Sequence, residues 1–435
     1  MSTNRLHNAG QRAGQPSALS GAGARRPVLA LLASLLSLAT LFVLLPARPI
    51  TSRWSGPPGG APVAREIPFS PGAVAVAQAQ PREAAPATAI VGQATARAAG
   101  KLGLQYGAVV DDHGQIVLQD EALRLIERSG AGWIKINFRL GGFADWTETT
   151  TFGYSALSRY DQIVASAHAH NLQVLGELSN ESWHGIAPHW QGNSAEAAGG
   201  NGDNQYIRDF ARNAAVVLAR HYAGRIDAWE IWNEPSQAAT YMYPSNFAQL
   251  LAQVYAGARA AGVTSARFVS GGITSIQDEA GRITPASSGA DYLREVYAQG
   301  RRVAGWAAIE ERYGTYPLDA IGQHIYLDGA GLTSAENVGA ALRLLRDAYV
   351  EGEGGGTVKQ TVITELGWAT DHVAELDQAA NLRTAYAAFQ QTDYVQRAFW
   401  FFLRDEPGPG LYFGLLNPDS SEKPAWQAFR EYAAN

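Results

Sequence analysis

The chain has 435 residues, a formal net charge of −6 and no cysteine. The absence of thiols excludes disulfides, cysteine-ligated zinc sites and iron–sulfur clusters. Hydrophobic residues make up 46% of the chain and charged residues only 17%, a composition typical of a packed core and not of global disorder. The length allows one large domain with extensions, or two or three small domains.

Charge divides the chain into two unlike parts. Residues 1–100 contain nine arginines, no lysine and two acids, for a net charge of +7, whereas residues 101–435 contain 25 basic and 38 acidic residues, for −13. An acidic domain repels the phosphate backbone, so we expect no nucleic-acid partner. The sequence indicates no obligate protein partner either.

The N-terminal part begins with a basic segment and an apolar one. Residues 1–26 carry four arginines and no acid, which predicts a cytoplasmic segment. Residues 27–46 include an uncharged apolar run at 28–45, whose helical length of about 27 Å approaches the thickness of a bilayer core. This segment is a transmembrane signal-anchor or a signal peptide, and the poor cleavage site after it favours the anchor.

A linker and a folded domain follow. Residues 47–100 are rich in Pro, Ala and Gly and have few large apolar residues, so they bury too little surface to offset their ordering entropy. We therefore predict a disordered linker there. With an anchor, the domain at 101–435 lies outside the cytoplasm on the membrane; with a cleaved signal it is secreted.

From residue 101, short apolar runs alternate with amphipathic ones. Helical spacing of apolar residues occurs at 207–218, 247–258 and 338–349, and a last helix follows Pro424. Eight strands are predicted, at 102–109, 132–140, 172–178, 226–233, 266–272, 318–326, 360–366 and 395–403. Eight strands alternating with helices predict an α/β fold, a (β/α)8 TIM barrel. An open doubly wound sheet is the alternative, but no Gly-rich phosphate turn follows the first strand.

Two carboxylates follow barrel strands at the end where barrel enzymes carry their chemistry. Glu234 ends strand four immediately before Pro235, and Glu365 ends the apolar strand seven. A single such acid is explained by an arginine partner at the rim, but two on different strands are expensive to bury without a function. Two carboxyl groups, one acid and one nucleophile or base, are what glycoside cleavage requires.

Two segments carry a family resemblance. Residues 232–235 (Trp-Asn-Glu-Pro) and 364–367 (Thr-Glu-Leu-Gly) resemble the signature segments of retaining (β/α)8 glycoside hydrolases, the clan of cellulase-, β-mannanase-, xylanase- and β-xylosidase-like families. The resemblance covers essentially 101–435. It implies that Glu234 is the acid/base, that Glu365 is the nucleophile, and that Asn233 contacts a sugar hydroxyl.

Further positions match the clan, with one departure. His324 and Tyr326 resemble its His-x-Tyr element, whose tyrosine donates to the nucleophile, and Trp400 resembles the aromatic floor beneath the reacting sugar. Lys135 stands on strand two where many relatives carry an arginine that helps keep the nucleophile ionised. Lysine supplies charge without the planar fork of arginine, and Arg139, on the same face, is the candidate to replace part of that function.

The remaining candidates would contact the carbohydrate substrate that the resemblance implies. Pyranose faces are apolar and stack on aromatic rings, so loop tryptophans are the expected subsites. The candidates are Asn137, Trp183, Trp190 and Trp368.

Other chemistries fit the sequence less well. His168 and His170 imitate a metal-binding pair but fall in a predicted helix, and His324 has no second histidine at another strand end, so we expect no metal and no cofactor. A serine hydrolase is disfavoured because no Gly-x-Ser-x-Gly turn follows a strand.

The sequence therefore predicts a membrane-tethered or exported retaining O-glycosidase acting on β-linked oligo- or polysaccharides. The alternative is a non-catalytic glycan-binding barrel displayed on the cell envelope. The second would keep aromatic platforms without needing both rim carboxylates.

Overall fold

The structure is a computed structural model. It describes residues 102–106, 115–183, 190, 204–302, 304–327, 331–355 and 359–434. The predicted segments at 1–26, 27–46 and 47–100 lie outside the described residues. Among the helices of the described ranges, none combines the length and apolarity required to cross a bilayer.

Parallel strands form a closed barrel, which confirms the predicted fold. The strands are β1 (Leu102–Gln105), β2 (Trp133–Asn137), β3 (Gln173–Leu178), β4 (Ala228–Ile231), β5 (Arg267–Ser270), β6 (Ile273–Ile276), β7 (Ala320–Tyr326), β8 (Gln360–Leu366) and β9 (Val395–Trp400). The order is β5-β4-β3-β2-β1-β9-β8-β7-β6, and a β5–β7 pairing closes the ring. Because β5 and β6 are two halves of one barrel strand, the predicted strands six to eight are β7 to β9.

Helices follow each barrel strand. In the described ranges they are α1 (Asp120–Ser129), α2 (Ala156–Ala169), α3 (Gln205–Phe210), α4 (Val216–His221), α5 (Pro244–Ala260), α6 (Ala290–Arg302), α7 (Trp306–Tyr313), α8 (Ala335–Gly352), α9 (Glu375–Gln390) and α10 (Pro424–Ala433). A π-helical turn, Ala211–Ala215, joins α3 to α4. Side chains of Ser155 and Ser334 cap α2 and α8, and proline begins α5 and α10. The predicted helices at 207–218, 247–258 and 338–349 are confirmed.

An apolar layer fills the bottom of the barrel. Its members, one from each of seven strands, are Trp133, Leu175, Ala228, Val269, Ala320, Val362 and Phe399. On β1 the position is taken by Gly103, where a Cβ would overlap the Phe399 ring. We call these seven side chains the barrel floor. Side chains alternate across a strand, so residues two positions further along face the interior one layer higher.

One extra residue changes this alternation on β8. Gln323 of β7 pairs with Ile363, and His324 pairs with Glu365, so Thr364 has no opposite residue on β7. Strict alternation from the floor residue of β8 would point Glu365 outward. The bulge turns it inward, as bulges near functional sites commonly do for one side chain.

Two glycines interrupt the fifth barrel strand. A Cβ on Gly271 would lie 2.5 Å from the carbonyl oxygen of Trp232, and a Cβ on Gly272 would overlap the imidazole of His324. The break between β5 and β6 therefore makes room for β4 backbone and for a β7 side chain. A side chain at either glycine position would clash with these atoms.

The seam between β5 and β7 is held by side-chain and backbone hydrogen bonds together, the latter from the Asp319 N–H to the Phe268 carbonyl at 2.6 Å. A single registered residue pair joins the two strands. The backbone N–H of Phe268 donates to the Asp319 carboxylate at 2.8 Å, and the N–H of Gly322 donates to the Ser270 hydroxyl at 2.9 Å. Both side-chain oxygens replace carbonyl acceptors of a regular ladder.

The close approach at Gly272 predicts a stability defect. Gly272→Ala should lower the free energy of unfolding by about 1–3 kcal/mol, because the new methyl must displace the buried His324 ring. Denaturant unfolding measures the change. Gly408→Ala, at an exposed position with open space around the Cβ, is the control and should stay within about 0.5 kcal/mol of wild type. Equal stability of the two variants would contradict the steric explanation.

Candidate active site

Charged side chains lie directly above the barrel floor. Lys135, Glu177 and Glu230 each follow a floor residue by two positions, on β2, β3 and β4. Their exposed fractions are 0%, 2% and 0%. Together with Glu365 on β8 they form a buried cluster, which we call the charge layer.

Lys135 is the centre of the charge layer. Its Nζ lies 2.8 Å from Glu177 Oε2, 2.8 Å from Glu230 Oε2 and 2.8 Å from Glu365 Oε1. Burial by itself lowers the pKa of Lys135, but the three carboxylates outweigh burial and raise that pKa well above its usual value. The lysine is therefore a buried ammonium paired with three carboxylates, and it donates a hydrogen bond to Glu365.

The carboxylates of the charge layer are not equivalent. Burial raises the pKa of Glu177 to about 7; Lys135 opposes this rise, and the charges of Glu230 and Glu365 add to it. Burial also acts to raise the pKa of Glu230, but Lys135 and His324 overcome it and lower that pKa to about 2. The surroundings therefore favour the ionised form of Glu230 and disfavour that of Glu177.

Both oxygens of Glu365 accept hydrogen bonds. Lys135 Nζ donates to Oε1 at 2.8 Å, and the Tyr326 hydroxyl donates to Oε2 at 2.7 Å. Burial, with the charges of Glu365 and Glu234, raises the pKa of Tyr326 well above its usual value, so its phenol keeps the proton that it donates. Glu365 is 6% exposed and therefore reachable from the cleft. The two donors stabilise negative charge at this carboxylate.

His324 lies between the two predicted catalytic acids. Its Nδ1 is 3.0 Å from Glu234 Oε1 and 3.4 Å from Glu365 Oε2, and its Nε2 is 3.4 Å from Glu230 Oε1. Burial lowers the pKa of His324, but Glu365, Glu230 and Glu234 together raise it to about 10. The ring is therefore an imidazolium that links the carboxylates.

Glu234 sits on a strained turn after β4. Trp232 has φ +79° and Glu234 has φ +43°, both in the left-handed region that non-glycine residues rarely adopt. Hydrogen bonds brace the turn: Trp232 Nε1 donates to the Thr240 carbonyl at 2.9 Å, and the Thr240 hydroxyl donates to the Glu234 carbonyl at 2.9 Å. The Glu234 side chain is 13% exposed, and its Oε1 lies 3.0 Å from His324 Nδ1. Its neighbour Asn233 is half-buried.

Glu234, His324 and Glu365 are close enough to surround a cation. One oxygen or nitrogen atom of each lies within 4.8 Å of the others. Carboxylate oxygens and a histidine nitrogen are ligand types that transition metals accept. The same three groups are also joined directly, through the contacts of His324 Nδ1 with both acids.

A second polar group lies at the rim on the β2 and β3 side. Asn137 Nδ2 donates to Glu181 Oε2 at 2.9 Å, and Arg139 pairs with Glu181 Oε1 at 2.8 Å. The sequence suggested that Arg139 would take over part of the role of the clan arginine. In the structure Lys135 makes the contact with Glu365, and Arg139 pairs with Glu181.

Two predicted aromatic contacts are buried. Trp400 and Trp368 are both 0% exposed, with ring centroids 6.0 Å apart, and the indole of Trp400 donates to the Phe413 carbonyl. Trp400 follows the floor residue Phe399 by one position, so alternation points it outward to the helices. Phe401, one position further, faces the interior with its ring 6.1 Å from that of Tyr326. The expected floor position of Trp400 is therefore corrected, since strand alternation gives this inward position to Phe401.

The other two tryptophans are half-buried beside the barrel mouth. Trp183 and Trp190 both pack on Tyr206, with ring centroids 5.3 and 5.7 Å away, and Trp190 also contacts Trp232 at 5.4 Å. Trp190 thus reaches the strained turn that carries Glu234. Each keeps part of its surface exposed.

Sequence reasoning missed Glu177 and Glu230. Both lie inside apolar strands of a parallel sheet, where neither face meets water. A carboxylate in such a strand is costly unless it is paired, and that cost was a usable signal for a buried cation partner. The candidate partner on the neighbouring strand was Lys135.

Comparison with solved structures supports the barrel fold, whereas comparison with family models and curated proteins found no match. A family 39 glycoside hydrolase from the gut symbiont Bacteroides cellulosilyticus WH2 is 19% identical, with a TM-score of 0.55, over 77% of this chain and 63% of that one. A glucosidase from Croceicoccus marinus is 14% identical, with a TM-score of 0.52, over 77% and 66%.

A family 5, subfamily 18 protein from Streptomyces cattleya, solved with N-acetylglucosamine, is 13% identical, with a TM-score of 0.52, over 77% of this chain and 80% of that one. The chain spans slightly less than two thirds of the length of the first two structures. These similarities confirm the resemblance to (β/α)8 glycoside hydrolases at the level of the fold.

The charge on His324 predicts a pH dependence of stability. Its pKa is raised to about 10 in the folded protein, against about 6.5 when unfolded, so the stability it contributes is complete below pH 6.5 and is lost as the pH rises through 10. Within that window one such proton changes the free energy of unfolding by up to about 1.4 kcal/mol per pH unit. Denaturant unfolding across the window should show this slope in wild type and lose it in His324→Asn.

His168→Asn is the matched control for this measurement, because His168 is exposed on α2. It should keep the wild-type slope. Parallel curves for wild type and His324→Asn would contradict an imidazolium at His324.

Proposed function

We propose that the chain is a retaining glycoside hydrolase that cleaves O-glycosidic bonds of β-linked oligo- or polysaccharides. The observation that carries the proposal is the unequal setting of two facing carboxyl groups. Glu365 accepts from Lys135 and Tyr326, which suits an ionised nucleophile, whereas Glu234 lies nearer the cleft on a braced turn. Such a difference in environment separates nucleophile from acid.

In the first step, Glu365 attacks the anomeric carbon of the bound sugar and forms a glycosyl–enzyme ester. The bond from that carbon to the leaving oxygen breaks at the same time, and Glu234 gives its proton to the leaving oxygen. Tyr326 and Lys135 hold the attacking carboxylate, so that little reorganisation is needed when it reacts.

In the second step, Glu234, now ionised, takes a proton from water, and the resulting hydroxide displaces Glu365 from the anomeric carbon. Two inversions at one carbon give net retention. Carboxyl groups about 5–5.5 Å apart support this route, and about 6.5–9.5 Å leaves room for water in a single inversion. One oxygen of Glu234 and one of Glu365 lie within 4.8 Å of each other, a nearest-atom distance compatible with the shorter of these separations.

A carbohydrate substrate is supported by the solved neighbours and by the mouth of the barrel. Trp183 and Trp190 keep exposed surface, Trp190 contacts Trp232 of the turn that carries Glu234, and pyranose rings stack on such surfaces. The rim group Asn137, Arg139 and Glu181 offers both donors and acceptors to sugar hydroxyls. A glycan-binding barrel without catalysis would use the same rim but would leave the buried charge layer without a purpose.

We also propose that residues 27–46 anchor the chain in the membrane, with the barrel outside the cytoplasm. The full chain should remain in the membrane fraction after carbonate washing, and a chain beginning at residue 101 should not. Recovery of both in the supernatant would contradict the anchor.

The assigned roles predict different defects for the two acids. Glu365→Gly should lose at least about 10³-fold in kcat, because no covalent intermediate can form, and added azide should restore turnover of an aryl β-glycoside as a glycosyl azide. Glu234→Ala should keep the first step on substrates with good leaving groups, because these need no protonation. Product anomers are assigned by NMR.

Glu353→Gln provides a matched control, since Glu353 pairs with Lys359 in a similarly buried ion pair away from the cleft. It should retain wild-type turnover. Loss of activity in Glu365→Gly without azide rescue, or release of the inverted anomer by the wild-type enzyme, would overturn the retaining assignment.

A further inference from the structure

The charge layer contains a carboxylate that the proposed reaction does not use. Glu177 on β3 is 2% exposed, and its Oε2 lies 2.8 Å from Lys135 Nζ. Glu365 is the nucleophile of the proposed reaction, and Glu230 also faces His324. The question is why a third acid is buried here, given the cost of removing a carboxylate from water.

Lysine presents a geometric problem that arginine does not have. Arginine's planar fork meets a carboxylate with a fixed orientation, whereas an ammonium is a point charge on a flexible stem and can rotate about its last bonds. Lys135 must therefore be held by something other than Glu365 if it is to keep one N–H directed at that nucleophile. Two further carboxylates, on β3 and β4, form ion pairs with the same nitrogen at 2.8 Å and hold the ammonium from the other sides.

We propose that Glu177 is a positioning residue: together with Glu230 it anchors the Lys135 ammonium, so that one N–H points at Glu365 and a lysine performs here the orienting function of a forked guanidinium. This proposal deepens the proposed hydrolase function and rests on it. Glu177 touches no reacting atom, so its effect reaches the substrate only through Lys135 and Glu365.

The charges around Glu177 are consistent with an anchor of this kind. Lys135 faces it from β2, Glu230 from β4 and Glu365 from β8. His324 of β7 lies beyond Glu230 and adds a second cation to the layer. Burial raises the pKa of Glu177 to about 7, and Lys135, whose Nζ lies 2.8 Å from Glu177 Oε2, opposes that rise.

Three variants test the anchor. Glu177→Met fills similar space and removes the acceptor, so kcat should fall at least about tenfold with KM within about threefold, because the loss is in the transition state. Glu177→Gln keeps an acceptor oxygen and should retain kcat within about threefold of wild type. Glu353→Gln, from the buried Lys359 pair, is the control and should be unchanged. If Glu177→Met does not fold, Glu177→Asp, shorter by one methylene, should show the same loss.

Activity is not the only readout. In a crystal structure of Glu177→Met (or Glu177→Asp), Nζ of Lys135 should move out of hydrogen-bond reach of Glu365 Oε1, against 2.8 Å in wild type. With ¹³C-labelled glutamate, a side-chain carboxyl resonance should titrate near pH 7 in wild type and be missing in Glu177→Gln. Both measurements remain valid if no glycoside is cleaved, so they separate failure of the anchor from failure of the hydrolase.

Three results would overturn the proposal. The first is wild-type kcat in Glu177→Met. The second is an equal loss in Glu177→Met and Glu177→Gln, which would assign the effect to the charge and not to the acceptor. The third is an unmoved Lys135 Nζ in the variant that lacks the acceptor.

Discussion

The buried ammonium of Lys135 is the constraint on which the candidate site depends. An isolated ammonium inside a barrel costs several kcal/mol, and only close, well-oriented partners offset that cost. Here three carboxylates at 2.8 Å provide them, from β3, β4 and β8. The strands that carry them must therefore hold their register relative to β2, because a slip of one residue would turn a carboxylate outward and leave the charge unbalanced. Stability and the geometry around Glu365 are fixed by the same four side chains.

Backbone irregularities then direct the side chains at this layer. The extra residue at Thr364 turns Glu365 inward, and Gly272 leaves the space that His324 occupies. Left-handed φ angles at Trp232 and Glu234 place the acid beyond the end of β4, where regular strand geometry would not carry it. These departures surround the two facing carboxyl groups, in keeping with the general finding that strain and bulges gather where function requires a special geometry.

Periodicity and strand-end position were sufficient to predict the barrel and the neighbourhood of the site. The alternation rule alone gives the inward position of Phe401 and the outward one of Trp400, and applying it to each strand would have avoided the error over Trp400. It fails for Glu365, because a bulge at Thr364 has no signature in a single sequence; the motif resemblance selected that residue instead. The partnership of Lys135 with Glu177 joins residues 42 positions apart and required the register of β2 on β3. Strand periodicity indicates which face of a strand a side chain lies on, but not which residue of another strand it meets.

The seam between β5 and β7 has a consequence for the closure of the barrel. Between β2 and β3 five registered residue pairs join the strands, but the seam has one, and the amides of Phe268 and Gly322 donate to the Asp319 carboxylate and the Ser270 hydroxyl. Asp319 is itself held by Arg259, whose Nη2 lies 2.9 Å from its Oδ2, and its own N–H donates to the Phe268 carbonyl. Closure of the ring at this point therefore depends on the identity of side chains as well as on backbone bonds. A substitution of Asp319 or Ser270 would reach the closure of the barrel without altering any of the acids that face the sugar.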